Sequence, residues 1–319
     1  MIVSLCMIAS LRTIWYLPVA DSLHIVLDLR PTRTVLATVS GHRVIDTRRL
    51  NHTGAPSPET LLAAVNVLRE RAPLPLAGLA LLWRPLVRLT GTVDRQVEHL
   101  AQALELTLNL PVRVLPAGAS LALGEWLRQP PTGSIATGSM ATGPLAVLAL
   151  GPLVAGGVVV EGRAVRPLEL DLAHLCVDPR GTPCPCGARG CLHLATSEIK
   201  LNEIAHDLSL AVVEPCSDDW QSVMYSDLAY RRGYLVTGAE VLVDRAAQAL
   251  GVLTAHLVQH FGVVELRVRT RHADTWQLLA PKVTHTAATI LGPHAPRIVA
   301  AAADEDAFWT GCVAGAYPP

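Results

Sequence analysis

Four side chains that bind soft or borderline metal ions lie close together near the middle of the chain. They are His174, Cys184, Cys186 and Cys191, and they fall within eighteen consecutive residues. One imidazole and three thiolates form a donor set that suits tetrahedral Zn²⁺. Because four protein ligands leave no position for water or substrate, the sequence predicts a structural zinc site rather than a catalytic one.

Disulfides and free thiols are the two alternatives to zinc at these cysteines. Cys184 and Cys186 are separated by a single residue, which is too close for an easy mutual disulfide. Four of the seven cysteines fall in the stretch 174–191, and nothing else in the sequence indicates an oxidising compartment. The cysteine pattern therefore favours zinc and a cytoplasmic location.

The spacing of these ligands also resembles a family signature. A histidine, nine residues, and then Cys-x-Cys-Gly-x-x-Gly-Cys occurs here without a gap, with Gly187 and Gly190 as the two glycines. This motif resembles the zinc signature of the ROK family, which contains sugar kinases and sugar-responsive transcriptional repressors. The resemblance extends from about His24 to Ala316. It implies an α/β fold of the actin-like, hexokinase-like (ribonuclease H-like) type, with two lobes and a structural zinc loop.

The resemblance also implies where a sugar would bind. The family has Glu-x-Gly-His before the zinc loop, and here Asp171 and His174 stand at the outer positions of that motif. After the last cysteine the family has a glutamate, where this chain has His193. Asp171, His174 and His193 are therefore the candidate sugar-binding residues. His193 could also be a weak replacement ligand or a solvated residue at a helix start, and we favour the solvated residue.

The catalytic aspartate of the family has no counterpart in this chain. The family follows the strand Leu-Pro-Val-x-Val with Glu-Asn-Asp-Ala-Asn, and the shared Gly124-Glu125 fixes the register, so that the aspartate falls on Ala117. No aspartate or glutamate lies between Val114 and Leu123. A sugar hydroxyl needs a carboxylate to accept its proton during phosphoryl transfer. The sequence thus predicts no catalytic residues.

The first phosphate-binding hairpin of the family is altered as well. The family has Asp-x-Gly-Gly-Thr between two strands; Asp28 and Thr32 match, but Arg30 and Pro31 replace both glycines. Glycine lets backbone N–H groups approach a phosphate, whereas proline has no N–H to donate. We therefore interpret this segment as an ordinary hairpin.

The second hairpin and the adenine platform carry similar changes. Gly151, Gly156 and Gly157 match the family's glycine-rich turn, but Pro152-Leu153 stands where the family has Thr-Gly. Farther along the chain, Arg269-Thr270-Arg271 stands where the family has three glycines beneath the adenine. The positions at which ATP would bind are thus degenerate, and the sequence does not favour ATP as a ligand.

Hydrophobic periodicity predicts several elements around these motifs. An apolar stripe after a Ser57-Pro58 start predicts a helix, and further helices are expected at 93–108 and 237–261. Apolar runs predict strands at 76–83 and 110–114. These elements alternate as an α/β fold requires.

The chain is long enough for about two domains. Residues 1–22 are expected to be an N-terminal extension, which is a relic or a mis-set start. Residues 23–128, completed by the last helix at about 300–317, should form a small lobe. A low-complexity flexible linker at 129–144 then leads to a large lobe at 145–299, which contains the zinc loop 174–191.

Charge and hydropathy exclude some classes of partner. The net charge is −1, so no global basic field favours nucleic acid. Family repressors carry an N-terminal winged helix, and no basic recognition helix is visible before the first strand, so we expect no direct DNA binding by this chain. The apolar run at 145–160 is interrupted by glycines and a proline, and we expect no membrane span.

Three hypotheses on function follow. The first is a non-catalytic protein of the ROK type, a sugar-sensing or regulatory domain that binds a sugar or sugar phosphate. The second is an ATP-dependent sugar kinase that uses other residues, and the third is a degenerate structural product. We prefer the first because the family's catalytic base and its nucleotide-binding loops are all replaced in this chain. A homodimer is implied by the family resemblance.

Overall fold

A computed structural model of the chain has two five-stranded mixed sheets with helices on their faces. The residues that the structure describes are 22–30, 33–41, 43–52, 56–83, 92–128, 143–151, 154–165, 172–197, 200–201, 237–270, 273–301 and 305–317. The N-terminal extension and most of the expected linker lie outside these residues. The predicted α/β class is confirmed, and the structure adds that the chain forms two sheets, whereas the predicted domain boundaries stay a prediction.

The first sheet has the strand order β3-β2-β1-β4-β5. Its strands are β1 (Leu23–Leu29), β2 (Arg33–Ser40), β3 (Arg43–Asn51), β4 (Leu76–Trp83) and β5 (Val112–Pro116). The first three strands form an antiparallel meander, and β4 and β5 run parallel to β1. The parallel strands β1, β4 and β5 therefore end at one edge of the sheet, where open α/β sheets bind ligands.

Both faces of the first sheet are covered. Helices α1 (Pro58–Arg71) and α2 (Thr92–Leu108) bury one face, and α7 (Glu305–Ala316) contacts the strands from the other. The predicted start of α1 is confirmed, because the Ser57 side chain accepts a hydrogen bond from the Thr60 backbone N–H at 3.3 Å. The strand expected at 110–114 begins and ends two residues later than predicted.

The second sheet has the strand order β10-β9-β6-β7-β8. Its strands are β6 (Leu145–Ala149), β7 (Ala155–Val160), β8 (Arg163–Ala164), β9 (Glu265–Arg269) and β10 (Arg297–Ala300). Helices α5 (Thr237–Phe261) and α6 (Ala273–Leu291) pack on each other, and their apolar residues join those of the sheet in one buried cluster. By length and composition α5 could cross a membrane. Leu250, Leu253 and Leu257 are nevertheless buried in this cluster, as in a core helix.

Two crossing helices lie between the sheets. Helix α3 (Ala117–Arg128) follows β5 of the first sheet directly but packs against β6, β7 and β8 of the second, and it crosses α7. A Cβ atom on Gly124 would collide with the Ala307 carbonyl, and one on Gly311 would collide with the Ser120 carbonyl. The two helices therefore touch backbone to backbone, which only glycine permits at these positions.

The end of α7 is anchored to the first sheet by Tyr317. Its hydroxyl lies 2.7 Å from the carbonyl oxygens of both Leu79 and Pro111, and Gly78 leaves the room that the phenol ring occupies. Burial raises the pKa of Tyr317 to about 12, so the hydroxyl remains a hydrogen-bond donor at neutral pH.

Replacing Tyr317 by phenylalanine is expected to lower the free energy of unfolding by about 1–2 kcal/mol, because the change removes a buried hydroxyl whose single proton is shared between the Leu79 and Pro111 carbonyl oxygens. Chemical denaturation would measure this change. Thr107→Val is the matched control: it removes an exposed hydroxyl that bonds the Ala103 carbonyl, and it should cost less than about 0.5 kcal/mol. An equal loss in the two variants would contradict a specific role for the Tyr317 hydroxyl.

Candidate metal centre and the neighbouring cleft

The metal-ligand loop is a short folded segment between β8 and α5. A 3-10 turn, Leu172–His174, presents the histidine, and two isolated β-bridges, Cys176 to Cys191 and Pro183 to Arg189, bring the ends of the loop together. Gly190 has φ +59°, and a Cβ atom there would collide with the Asp178 carbonyl. The glycines of the sequence motif are therefore needed for the turn itself.

The four predicted ligands converge. One nitrogen of His174 and the three sulfurs all lie within 4.8 Å of one another. His174 Nδ1 is 3.5 Å from Cys184 Sγ, and Cys186 Sγ is 3.5 Å from Cys191 Sγ. Ligands about 2.0–2.3 Å from a tetrahedral ion are about 3.3–3.8 Å apart, so the two 3.5 Å separations match a shared metal ion, whereas pairs near the 4.8 Å limit would have to move closer to coordinate it.

All five cysteines that the structure describes are free thiols. Cys184 and Cys191 are buried, and burial raises the pKa of both thiols. A buried thiol resists ionisation unless a cation compensates the charge. The chemistry of the loop therefore matches a metal centre better than a set of reactive thiolates.

His193 contacts this cluster directly. It lies in the short helix α4 (Leu192–Thr196), its Nε2 is 3.2 Å from Cys184 Sγ, and its ring packs edge-on against His174 at 4.8 Å. His193 does lie at a helix start, as expected, but its ring is half-buried against the cluster rather than solvated. Burial, followed by the neighbouring charges of His174 and Lys200, lowers the pKa of His193 to about 4, so the ring is neutral at pH 7.

The position predicted for the catalytic base lies beside the metal loop. Ala117 begins α3 at the end of β5 and is 3% exposed. The next residue, Gly118, packs against Gly156 and Gly157 of β7, and a Cβ on Gly156 would be 2.7 Å from Leu172 Cδ1, two residues before His174. The start of α3 thus packs on β7, which also lies close to Leu172 of the metal loop, and Ala117 has only a methyl group at this position.

Asp28 lies in the first hairpin, where the family resemblance predicted a nucleotide position. Its side chain is 0% exposed, and its Oδ2 accepts hydrogen bonds from Arg30 Nη2 at 2.7 Å and Arg30 Nε at 2.8 Å. Arg30 therefore neutralises the carboxylate from within the chain. Pro31 and Thr32 lie outside the described residues.

The glycines of the second hairpin pack against protein. Gly156 and Gly157 lie within β7, and a Cβ on Gly157 would be 2.6 Å from the Gly118 carbonyl oxygen. These two glycines let α3 approach the sheet closely. Gly151 is buried at the end of β6, whereas Pro152 and Leu153, together with Arg271 and the candidate sugar ligand Asp171, are not among the described residues.

Solved structures match nearly the whole chain. The ROK hexokinase from Thermus thermophilus superposes with a TM-score of 0.70 at 20% identity, covering 92% of this chain and 98% of the hexokinase. This chain has the ROK fold. A ROK transcriptional regulator homologous to the Escherichia coli MLC protein matches with a TM-score of 0.69 at 16% identity, covering 92% of this chain and 77% of the regulator.

A third ROK-fold structure is the glucokinase from Streptomyces griseus in complex with glucose and AMPPNP. Its TM-score is 0.64 at 18% identity, with 91% of this chain and 98% of the glucokinase covered. No protein-family model and no curated protein sequence matches the chain. Because the ROK fold occurs in both kinases and a regulator, the fold leaves the choice between these functions to the residues of the site.

Two features of the site were missed by sequence reasoning. The Asp28–Arg30 pair joins residues two apart at a strand end, and the contact of His193 with Cys184 joins residues nine apart in the loop. The bridge between Cys176 and Cys191, which brings His193 near His174, is visible in the structure and carries no separate signal in the sequence.

Proposed function

We propose that this chain is a non-catalytic sugar-binding domain of the ROK type, which senses a sugar or sugar phosphate. The single observation that carries this proposal is Ala117 at the start of α3, the position where the register of Gly124-Glu125 puts the family's base. An alanine methyl accepts no proton, and the loss of general-base catalysis typically costs about 10²–10⁴-fold in rate.

The state of the nucleotide positions supports the same proposal. A magnesium–phosphate group needs free carboxylate oxygens and exposed backbone N–H groups. Asp28 is buried and paired with Arg30, and Gly157 is packed against Gly118. The described residues of the two hairpins therefore leave neither a free carboxylate at Asp28 nor an open approach at Gly157 for MgATP, which supports the proposal that ATP does not bind.

Zinc is the metal that the cluster fits best. Three thiolates with one imidazole at tetrahedral separations are typical of structural zinc, and His174, Cys184, Cys186 and Cys191 would hold the ion. The ion would cross-link the loop and would take no part in a chemical step. Free thiols at every described cysteine support a cytoplasmic location, and homodimerisation remains an inference from the family resemblance.

Ligand binding and phosphoryl transfer together test this function. Hexoses, N-acetylhexosamines and their phosphates would be screened by thermal shift, with glycerol at equal osmolality as the control for non-specific stabilisation. We expect at least one sugar to raise the Tm and MgATP to leave it unchanged. A coupled assay for ADP release with the same sugars should remain at the background rate.

Asp171→Asn supplies the matched variant for this test. It removes a candidate sugar ligand that is not among the metal ligands, so it should abolish the sugar-induced shift while metal content stays the same. Sugar phosphorylation at an ordinary turnover rate by the unmodified protein would overturn the proposal in favour of a kinase. A protein that responds to neither sugars nor MgATP would instead be the degenerate structural product.

A further inference from the structure

His193 is a fifth polar side chain at the metal cluster, beyond the four that complete a tetrahedron. Its Nε2 lies 3.2 Å from Cys184 Sγ, whereas His174 Nδ1 lies 3.5 Å from the same sulfur. Two imidazoles thus approach one thiol from the two strands of the loop. The ligand set defined by mutual proximity contains only His174 of the two.

The backbone fixes this arrangement. Leu192 N donates to Leu175 O at 2.9 Å and Val177 N donates to Gly190 O at 2.9 Å, so Cys176 and Cys191 are directly opposite each other. Continuing this register places His193 opposite His174, in agreement with their ring contact. The Ser197 N–H bonds the His193 carbonyl at 3.0 Å, which secures the short helix that holds the ring.

When a divalent metal ion is bound, the net negative charge of the centre must be stabilised by hydrogen-bond donors. Three thiolates carry three negative charges against two on a divalent cation, which leaves one net negative charge among buried sulfurs. A buried charge is stabilised when donors point at it. Backbone N–H groups of the loop reach the sulfurs of Cys184 and Cys186. His193 is the side chain positioned to add a further donor, because a neutral imidazole carries one N–H.

We propose that His193 is a positioning residue of the metal centre, whose Nε2–H donates a hydrogen bond to the Cys184 thiolate. This inference rests on the metal centre in the proposed function. The hydrogen bond holds the sulfur in its coordinating orientation and reduces its charge, as partners of metal ligands commonly do. His193 then uses Nε2 on the metal side, and Nδ1 is its only ring nitrogen available to a sugar.

Metal affinity in three variants of the full chain tests the proposal. Zn²⁺ affinity would be measured by competition with a chromogenic chelator. His193→Ala should weaken binding about 10–100-fold. His193→Gln should restore most of the affinity, because its amide N–H₂ can take the place of Nε2–H. His260→Ala removes an exposed histidine far along the chain, in α5, and should match the unmodified protein.

Co²⁺ substitution separates a hydrogen-bond donor from a metal ligand. In the tetrahedral centre proposed here, the visible d–d bands and the sulfur-to-cobalt charge-transfer bands keep a four-coordinate pattern in His193→Gln. A change of that pattern to a different coordination number would show that His193 is itself a ligand and would overturn the proposal. Equal affinity of His193→Ala and the unmodified protein would overturn it too, as would failure of glutamine to restore affinity.

Failure of the metal centre itself has a different signature. If the unmodified protein binds neither Zn²⁺ nor Co²⁺, the metal part of the proposed function and this inference both fall. If the unmodified protein binds metal and all the His193 variants bind it equally, only the inference falls. Far-UV circular dichroism of each variant confirms that a change in affinity arises from a folded chain.

Discussion

Replacing Cys191 by serine is expected to release the metal and to destabilise the chain strongly. Cys191 is a fully buried member of the cluster, and it also directly precedes the first residue of α4. Structural zinc contributes on the order of 10 kcal/mol to the folding of small zinc domains. Loss of a ligand from a closed site should therefore remove several kcal/mol of this folding free energy, which would lower the Tm by more than about 10 °C. Metal analysis and differential scanning calorimetry would measure both effects.

Cys176→Ser is the matched control for this experiment. Cys176 is opposite Cys191 in the same β-bridge, but its side chain is exposed and lies outside the ligand set. Its replacement should leave metal content unchanged and shift the Tm by no more than about 2 °C. Retention of a full metal equivalent in Cys191→Ser would contradict the ligand set. Equal losses in the two variants would indicate disruption of the loop rather than of coordination.

Replacing Arg267 by methionine is expected to cost about 3–5 kcal/mol, the usual penalty for leaving buried charges unpaired. Arg267 is 12% exposed and binds two carboxylates at once: Glu125 Oε2 at 3.1 Å and Glu265 Oε1 at 2.7 Å. It also donates to the Glu125 carbonyl at 2.9 Å, which links β9 to α3. Without the guanidinium, the described side chain that still pairs with Glu125, itself 2% exposed, is the more peripheral Arg128. Urea denaturation would measure the loss.

Arg128→Met removes that peripheral partner and serves as the control. Arg128 Nη2 bonds the same Glu125 oxygen at 3.0 Å, but its side chain is 38% exposed, so solvent screens the interaction. We expect a loss below about 1 kcal/mol. Losses of similar size in the two variants would mean that burial does not determine the strength of this network.

The metal loop could be predicted because its determinants are local. Ligand type, spacing and the two glycines all lie within 174–191, and a tetrahedral site tolerates little variation in them. The start of α1 was predictable for the same reason, since Ser57 and Pro58 act on the turn that they begin. Local chemistry of this kind is present in the sequence itself.

Contacts between distant segments could not be predicted in the same way. Glu125 and Arg267 are 142 residues apart, and each would have been interpreted alone as a surface charge. Gly156 and Gly157 suggested remnants of a phosphate loop, yet glycine also permits the close approach of a helix to a sheet. A sequence does not separate these two uses of glycine, because both depend on which backbone lies opposite.

The crossing of α3 and α7 limits how the two sheets can move. The chain passes from the first sheet to the second between β5 and α3 and returns between β10 and α7, and the two helices meet at Gly124 and Gly311 without intervening side chains. Interdigitated side chains would let the helices slide in small steps, whereas bare backbones in contact act as a pivot. A rotation of one sheet relative to the other about this point would keep the two backbones in contact, whereas a bulky residue at either glycine would push the two helices apart.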